Sequence, residues 1–251
     1  SRTVLVIHEN RLPADPMFFR FSWDAVVCFD ERYKAFLVEA FPPSKIHVVP
    51  FPYHPMMTGD KKSSRRELDL PLEKKIILFF GYSVYRNIPI LRPLAELGQK
   101  YPMHILALST DDYSLKQLKA ASRELGIFIE IRREAPPLSR LYKYLHASDA
   151  FVKHVDEEWR EEVVLLSSTI HLCLGSGCPL VVSDAKIFET YGRQVLKYRT
   201  RDRDEFKECL TNVFEEKERL TELRQAVRES VGRDSAQVVA KKYIRLFESL
   251  Q

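Results

Sequence analysis

Three consecutive hydroxyl residues, Ser167, Ser168 and Thr169, stand before a short apolar run made by Ile170, Leu172, Cys173 and Leu174. The spacing predicts a buried helix whose first-turn N–H groups lack partners, with a hydroxyl at hand to cap them. Gly175 and Gly177 loosen its end and Pro179 forbids continuation. Leu180 to Val182 then reads as a buried parallel strand, closed by Asp184. Such a helix start has two readings. It is an anion site, with free N–H groups and the helix dipole facing a negative ligand, or it is a core helix with ordinary caps. Residue types alone leave both open.

Other reactive groups are less ordered. Cys28, Cys173, Cys178 and Cys209 show no paired spacing and no neighbouring metal-ligand cluster, so they read as buried free thiols in a reducing compartment. The acidic run Asp156, Glu157, Glu158, Glu161, Glu162 has the form of a solvated loop. A formal charge of +4 tolerates anionic ligands but falls short of a nucleic-acid footprint. No apolar run approaches a membrane span. These features lead to the expectation of a cytoplasmic protein, with peripheral association to a membrane left open.

The elements that must position these groups follow a single rhythm. Thr3 to His8, Asp24 to Phe29 and Lys45 to Phe51 read as strands, with a helical pattern over 32–41. The proline-rich and polar stretch that follows Pro52 reads as a linker. Strands then recur at Lys75 to Gly81, Met103 to Ser109, Ile127 to Ile131, Asp149 to Lys153 and Gln194 to Tyr198, with helices between them. From Arg203 onward the pattern is helical. Strands alternating with helices imply parallel sheets covered on both faces. The expected fold is therefore α/β, two Rossmann-like domains. A first, truncated domain spans 1–52, a linker 53–73, and a second, complete domain 74–234. A final helix over 235–251 is expected to pack back on the N-terminal part. Ligands in such folds lie at the C-terminal ends of strands. That rule gathers His8, Gly81 to Asn87, Ser109 to Asp112, Lys153 to Glu158 and the helix start at Ser167 around one crevice.

In order and spacing, several phrases resemble the retaining glycosyltransferases of the GT-B fold, the large family that includes sucrose synthases and bacterial mannosyltransferases. KIHVVPFPYHP is similar to that family's exit from the N-terminal domain. RRELDLPLEKKIILFFGYSVYRNIPIL is similar to the start of its C-terminal domain. LYKYLHASDAFV and GSGCPLVVSDAKIFETYG resemble the segments flanking its donor loop. By position, the resemblance implies that Gly81 lets the backbone approach a donor diphosphate and that Arg86 neutralises it. It puts Tyr82 where many members carry a second cation, and Asn87 where they carry glycine, a change tolerable because Asn also enters left-handed backbone. Ser167, Ser168 and Thr169 complete the expected diphosphate site. His8 matches a histidine near the transferred sugar and is the expected catalytic residue. Lys153, Glu162, His171 and Glu189 are expected to serve the donor sugar or nucleotide.

Two departures stand out. Counted back from Pro179, the family's two glutamates fall at Val164 and Leu172, neither of which accepts a hydrogen bond. Glu162 and His171 lie close by and would compensate through a shift of register. The resemblance implies a metal-independent, retaining transferase with no resident cofactor, a UDP- or GDP-type sugar as donor, and a glycan, lipid-linked or small-molecule acceptor. The missing glutamates favour the alternative, a glycosyltransferase-like scaffold that binds without catalysing. A chain opening directly on a strand carries the further expectation that residues before Ser1 complete the acceptor side.

Overall fold

The computed structural model describes residues 1–8, 12, 15–156 and 166–251. Three short strands, β1 (Val4–Val6), β2 (Ala25–Cys28) and β3 (Ile46–Val48), form a parallel sheet in the order β1-β2-β3. A four-residue helix, α1 (Met17–Arg20), precedes β2, and α2 (Glu31–Leu37) follows it. The α2 start is capped by Asp30, whose carboxylate accepts from the Arg32 N–H at 2.9 Å. Tyr33, Leu37 and Phe41 cover one face of this sheet.

The next helix, α3 (Lys61–Glu67), lies inside the stretch read as linker. Its sequence, KKSSRRE, has no apolar stripe, so nothing in its periodicity announces it. Asp60 caps it, accepting from Ser63 N–H at 2.7 Å. Its anchor is a buried arginine. Arg65 pairs with Asp149 at 2.7 Å and donates to the Ala147 carbonyl at 2.9 Å.

The remaining strands are β4 (Lys75–Phe80), β5 (Met103–Leu108), β6 (Ile129–Arg132), β7 (Ala150–Lys153), β8 (Leu180–Ser183) and β9 (Leu196–Tyr198). They build a second parallel sheet in the order β6-β5-β4-β7-β8-β9. The order reverses between β4 and β7, which opens a crevice at their C-terminal ends. Helices α4 (Leu91–Gly98), α5 (Asp112–Glu124), α6 (Leu138–Ala147) and α7 (Ser168–Leu174) cross over between these strands, and α8 (Arg203–Glu215) and α9 (Lys217–Arg233) follow them. Strand β4 is buried on both faces, which is why IILFF is continuously apolar rather than alternating. Ile76 and Leu78 meet Leu141, Tyr142 and Ile170 on one face, while Ile77 and Phe79 meet Leu91, Leu94 and Phe206 on the other. The single helix expected from Ile88 begins instead as a 3-10 segment, Val84–Ile90, before α4. Pro89 and Pro93 account for it, since neither has an N–H to give the α ladder.

The last helix, α10 (Ala236–Ser249), lays Val239 and Leu246 against Ala25, Val27 and Val49 on the second face of the small sheet. The segment after Phe51 crosses between the two sheets. Tyr53 N–H donates to Asp234 O at 3.0 Å, His54 N–H to His171 O at 3.0 Å, and Met57 N–H to Gly175 O at 2.9 Å. Glycine is required at 175 by this crossing. An added Cβ would stand 2.4 Å from the carbonyl oxygens of both His54 and Pro55. Among the described residues, no helix is long and apolar enough to cross a membrane.

Candidate active site

A cavity of about 480 Å³ lies where the crossing segment meets the C-terminal ends of the large sheet. One side is aromatic, from Phe51, Tyr53, Phe80 and His171. The other side is formed by Gly81, Ser168, Thr169 and Leu172. Four of the residues singled out in the sequence, Gly81, Ser168, Thr169 and His171, therefore line one cavity.

Each is placed by its element. Gly81 ends β4 at φ +123, a backbone open to glycine and strained for any other residue. A Cβ there would look out on Lys153 Nζ and Thr169 Oγ1, each 3.9 Å away. Lys153 is the last residue of β7, across the strand-order reversal from Gly81, and its ammonium lies 3.4 Å from Thr169 Oγ1. Burial lowers the Lys153 pKa to about 8, with the nearby Cys173 thiol acting against the shift and the Arg86 guanidinium adding to it. Arg86 itself rests over the Tyr85 ring, 6.0 Å from its centroid.

His171 is held by aromatic rings. It stacks on Tyr53 with centroids 4.3 Å apart and planes within 8°, and meets the edge of Phe51 at 5.3 Å. Its Nδ1 is 3.0 Å from the Tyr191 hydroxyl. Burial pushes its pKa down to about 4, against smaller opposing effects of the Ser167 carbonyl and Asp234, so the ring is neutral at neutral pH. His8 is exposed and sits on the other side of Phe51, at 6.4 Å from that ring and 4.8 Å from Phe29. A continuous row of rings thus runs from His8 through Phe51 and His171 to Tyr53.

The hydroxyl run behaves differently from a capping motif. Ser167 takes the N-cap position of α7, yet no side chain caps the helix. The Ser167 carbonyl instead accepts from Ile170 N–H at 3.0 Å and from the Tyr191 hydroxyl at 3.1 Å. Ser167 is buried, whereas Ser168 and Thr169 reach the cavity.

Other expected site residues stand apart. Asn87 is buried in the 3-10 segment, and its Oδ1 accepts from His154 N–H at 2.8 Å. Its backbone is not left-handed, for among the described residues Asp69 is the non-glycine with positive φ. The expected stand-in for glycine geometry is thus corrected: a 3-10 turn requires no positive φ, and Asn87 ties that turn to the end of β7. The Tyr82 side chain is 74% exposed, while its carbonyl accepts from Ser114 Oγ at 2.9 Å. Glu189 pairs with Arg32 at 3.2 Å, joining the α2 end of the small sheet to the loop after β8. Glu162 lies outside the described residues, as does Val164. All four cysteines are free and buried, with burial raising the thiol of Cys178 to about 12 and that of Cys28 to about 11.

Sequence reading passed over the aromatic wall. Phe51, Tyr53 and Phe80 belong to phrases quoted for their resemblance, but only the crossing of the chain brings them face to face. The one available signal was the density of rings around two prolines in FPYHP.

No protein-family model matches the sequence. Solved structures do match. Sucrose-phosphate synthase from Thermosynechococcus elongatus superposes with a TM-score of 0.74 at 13% identity, over 98% of this chain and 67% of that one. The fold is GT-B. HepE from Anabaena, solved in complex with UDP and glucose, gives a TM-score of 0.73 at 11% identity, over 99% of this chain and 72% of its own. A glycosyltransferase from Rickettsia africae gives 0.71 at 13% identity, over 98% and 70%. Within the GT-B frame, the cavity lies in the cleft between the two Rossmann-like parts.

Proposed function

We propose that the chain binds a nucleoside diphosphate sugar in this cleft and transfers the sugar to an acceptor. The observation that carries the reading is the convergence of Gly81, Lys153 and Thr169 at the strand-order reversal, near Arg86, with Gly81 and Thr169 lining the cavity. A glycine with φ +123 allows close approach of a ligand to the backbone, and the cations answer phosphate charge. The transfer is taken to retain configuration and to need no metal or resident cofactor, because fixed cations suffice to stabilise a departing diphosphate. His8, at the far end of the ring row, is the group that would meet the transferred sugar. UDP is the first nucleotide to try, since HepE was solved with UDP and with UDP-glucose.

A second reading has one observation behind it. Leu172 lines the cavity at the position expected to hold a ribose-binding glutamate, and it offers no acceptor. That favours a protein that binds a nucleotide without transferring sugar. A thermal-shift screen with UDP, GDP, ADP and dTDP, with and without EDTA, addresses the donor site directly. Binding at a hundredfold excess over Kd should stabilise the protein by about 2.7 kcal/mol. Absence of a shift with all four would overturn the donor reading. Binding without hydrolysis or transfer of the matching sugar nucleotide would leave the binding-only alternative.

A further inference from the structure

Among the described residues, Lys153 has no carboxylate in salt-bridge range. Its ammonium is partly buried at the end of β7, and among the described residues its one hydrogen-bond partner is the Thr169 hydroxyl at 3.4 Å. Arg86, a fixed cation, repels it. Desolvating a cation without an anion is costly, so an ammonium placed this way either gains a negative partner or gives up its proton more readily. It lies 3.9 Å from where a Cβ on Gly81 would stand, and both Gly81 and Thr169 line the cavity. Tyr82, next to Gly81, contributes no charge.

We propose that Lys153 is a phosphate-binding cation of this cleft, closing with Arg86 and the Thr169 hydroxyl on the diphosphate of the donor. The inference rests on the donor reading above and assigns it a residue at a strand end rather than in the loop after β4. Two cations on opposite sides of the strand-order reversal would grip a diphosphate from both flanks, which a single arginine cannot do.

A titration follows from the surroundings. Cys173 from α7 and Arg86 from the 3-10 segment act on the ammonium, the Tyr82 side chain in the turn after Gly81 is exposed, and His154 is turned away to Tyr198 and Asp156. The free lysine therefore loses its proton near pH 8, and a bound diphosphate holds the proton on. Binding takes up a proton at pH 8 and weakens about tenfold between pH 7 and pH 9 as the lysine must be recharged.

The test is calorimetric titration of the whole chain with UDP and separately with inorganic pyrophosphate, at pH 7 and pH 9, for the native protein, Lys153→Met and Lys153→Arg. The ligand's own ionisation is common to all three proteins. Expected results are a tenfold or larger loss of affinity at pH 7 in Lys153→Met, on the scale of one hydrogen bond to a charged group. Lys153→Arg should keep the affinity and lose the extra weakening at pH 9. Melting temperature serves as the folding control, and Met, which removes a buried charge, should leave it unchanged or raised. Unchanged affinity in a folded Lys153→Met protein, or equal pH dependence in the native and Lys153→Arg proteins, overturns the proposal while leaving donor binding intact. Pyrophosphate binding that depends on Lys153 without any UDP binding supports the phosphate role and sinks UDP as the donor. Binding of neither ligand overturns both.

Discussion

At the scale of single residues, charge in a low-dielectric wall sets what the cleft does. Arg86→Ala should weaken nucleoside diphosphate binding by about 1.5–3 kcal/mol. The loss should be smaller for the monophosphate, which lacks the outer phosphate; equal losses, measured by titration, would remove Arg86 from the diphosphate site. His171 makes a prediction about stability instead. Its folded pKa of about 4 lies below the ordinary 6.5, so between those values the unfolded chain binds a proton that the folded chain refuses. Stability is therefore complete above about pH 6.5 and drains away as pH falls toward 4, by about 3 kcal/mol from this group. Burial lowers His154 and His104 in the same direction, so the slope is shared. Denaturant midpoints between pH 7 and pH 4 should fall less steeply in His171→Phe, which keeps the ring against Tyr53 and removes the proton site. An unchanged slope would show that His171 does not titrate as its burial requires.

At the scale of elements, the site depends on two close approaches. One is the turn after β4, where Gly81 leaves room that Lys153 and Thr169 face. The other is the crossing of residues 54 and 55 over the end of α7 at Gly175. Gly175→Ala would force two backbone carbonyls away from a methyl group with no flexible side chain to yield. The expected cost is about 1–3 kcal/mol, the range for overpacking a tight core. It should be visible as a lower melting temperature together with weaker nucleotide binding, because Pro55, His171 and Leu172 all move with the cavity wall. Loss of stability with unaltered binding would show that the crossing segment does not shape the cavity.

At the scale of the whole molecule, the small sheet has few means of support of its own. Its first face carries α2 and its neighbours, and its second face is covered by α10 from the far end of the chain. Leu246 is buried against that face. Leu246→Ala should cost about 2–5 kcal/mol, the range for a buried leucine. Limited proteolysis should then release the region of β1 to β3 before the large sheet opens. Simultaneous loss of both parts would mean that the seam, not α10, governs their stability.

Much of the architecture is legible in the sequence. Runs such as TVLVIH and KKIILFF are apolar enough to require burial on both faces, and helical patterns between them dictate parallel crossovers. The rule that ligands gather at strand ends already collected Gly81, Lys153 and Ser167 in one region. Periodicity could not reveal α3, because KKSSRRE has no apolar face and is anchored by the buried Arg65–Asp149 pair instead. Nor could it separate Asn87, turned inward to His154, from Arg86 beside it. The aromatic wall, the lowered pKa of Lys153 and the neutral state of His171 exist only where distant segments meet. Sequence by itself determined which segments must be buried, since hydrophobic pattern is local. The tertiary structure alone decided which polar groups were left facing one another, because burial and distance, not residue type, set the cost of a charge.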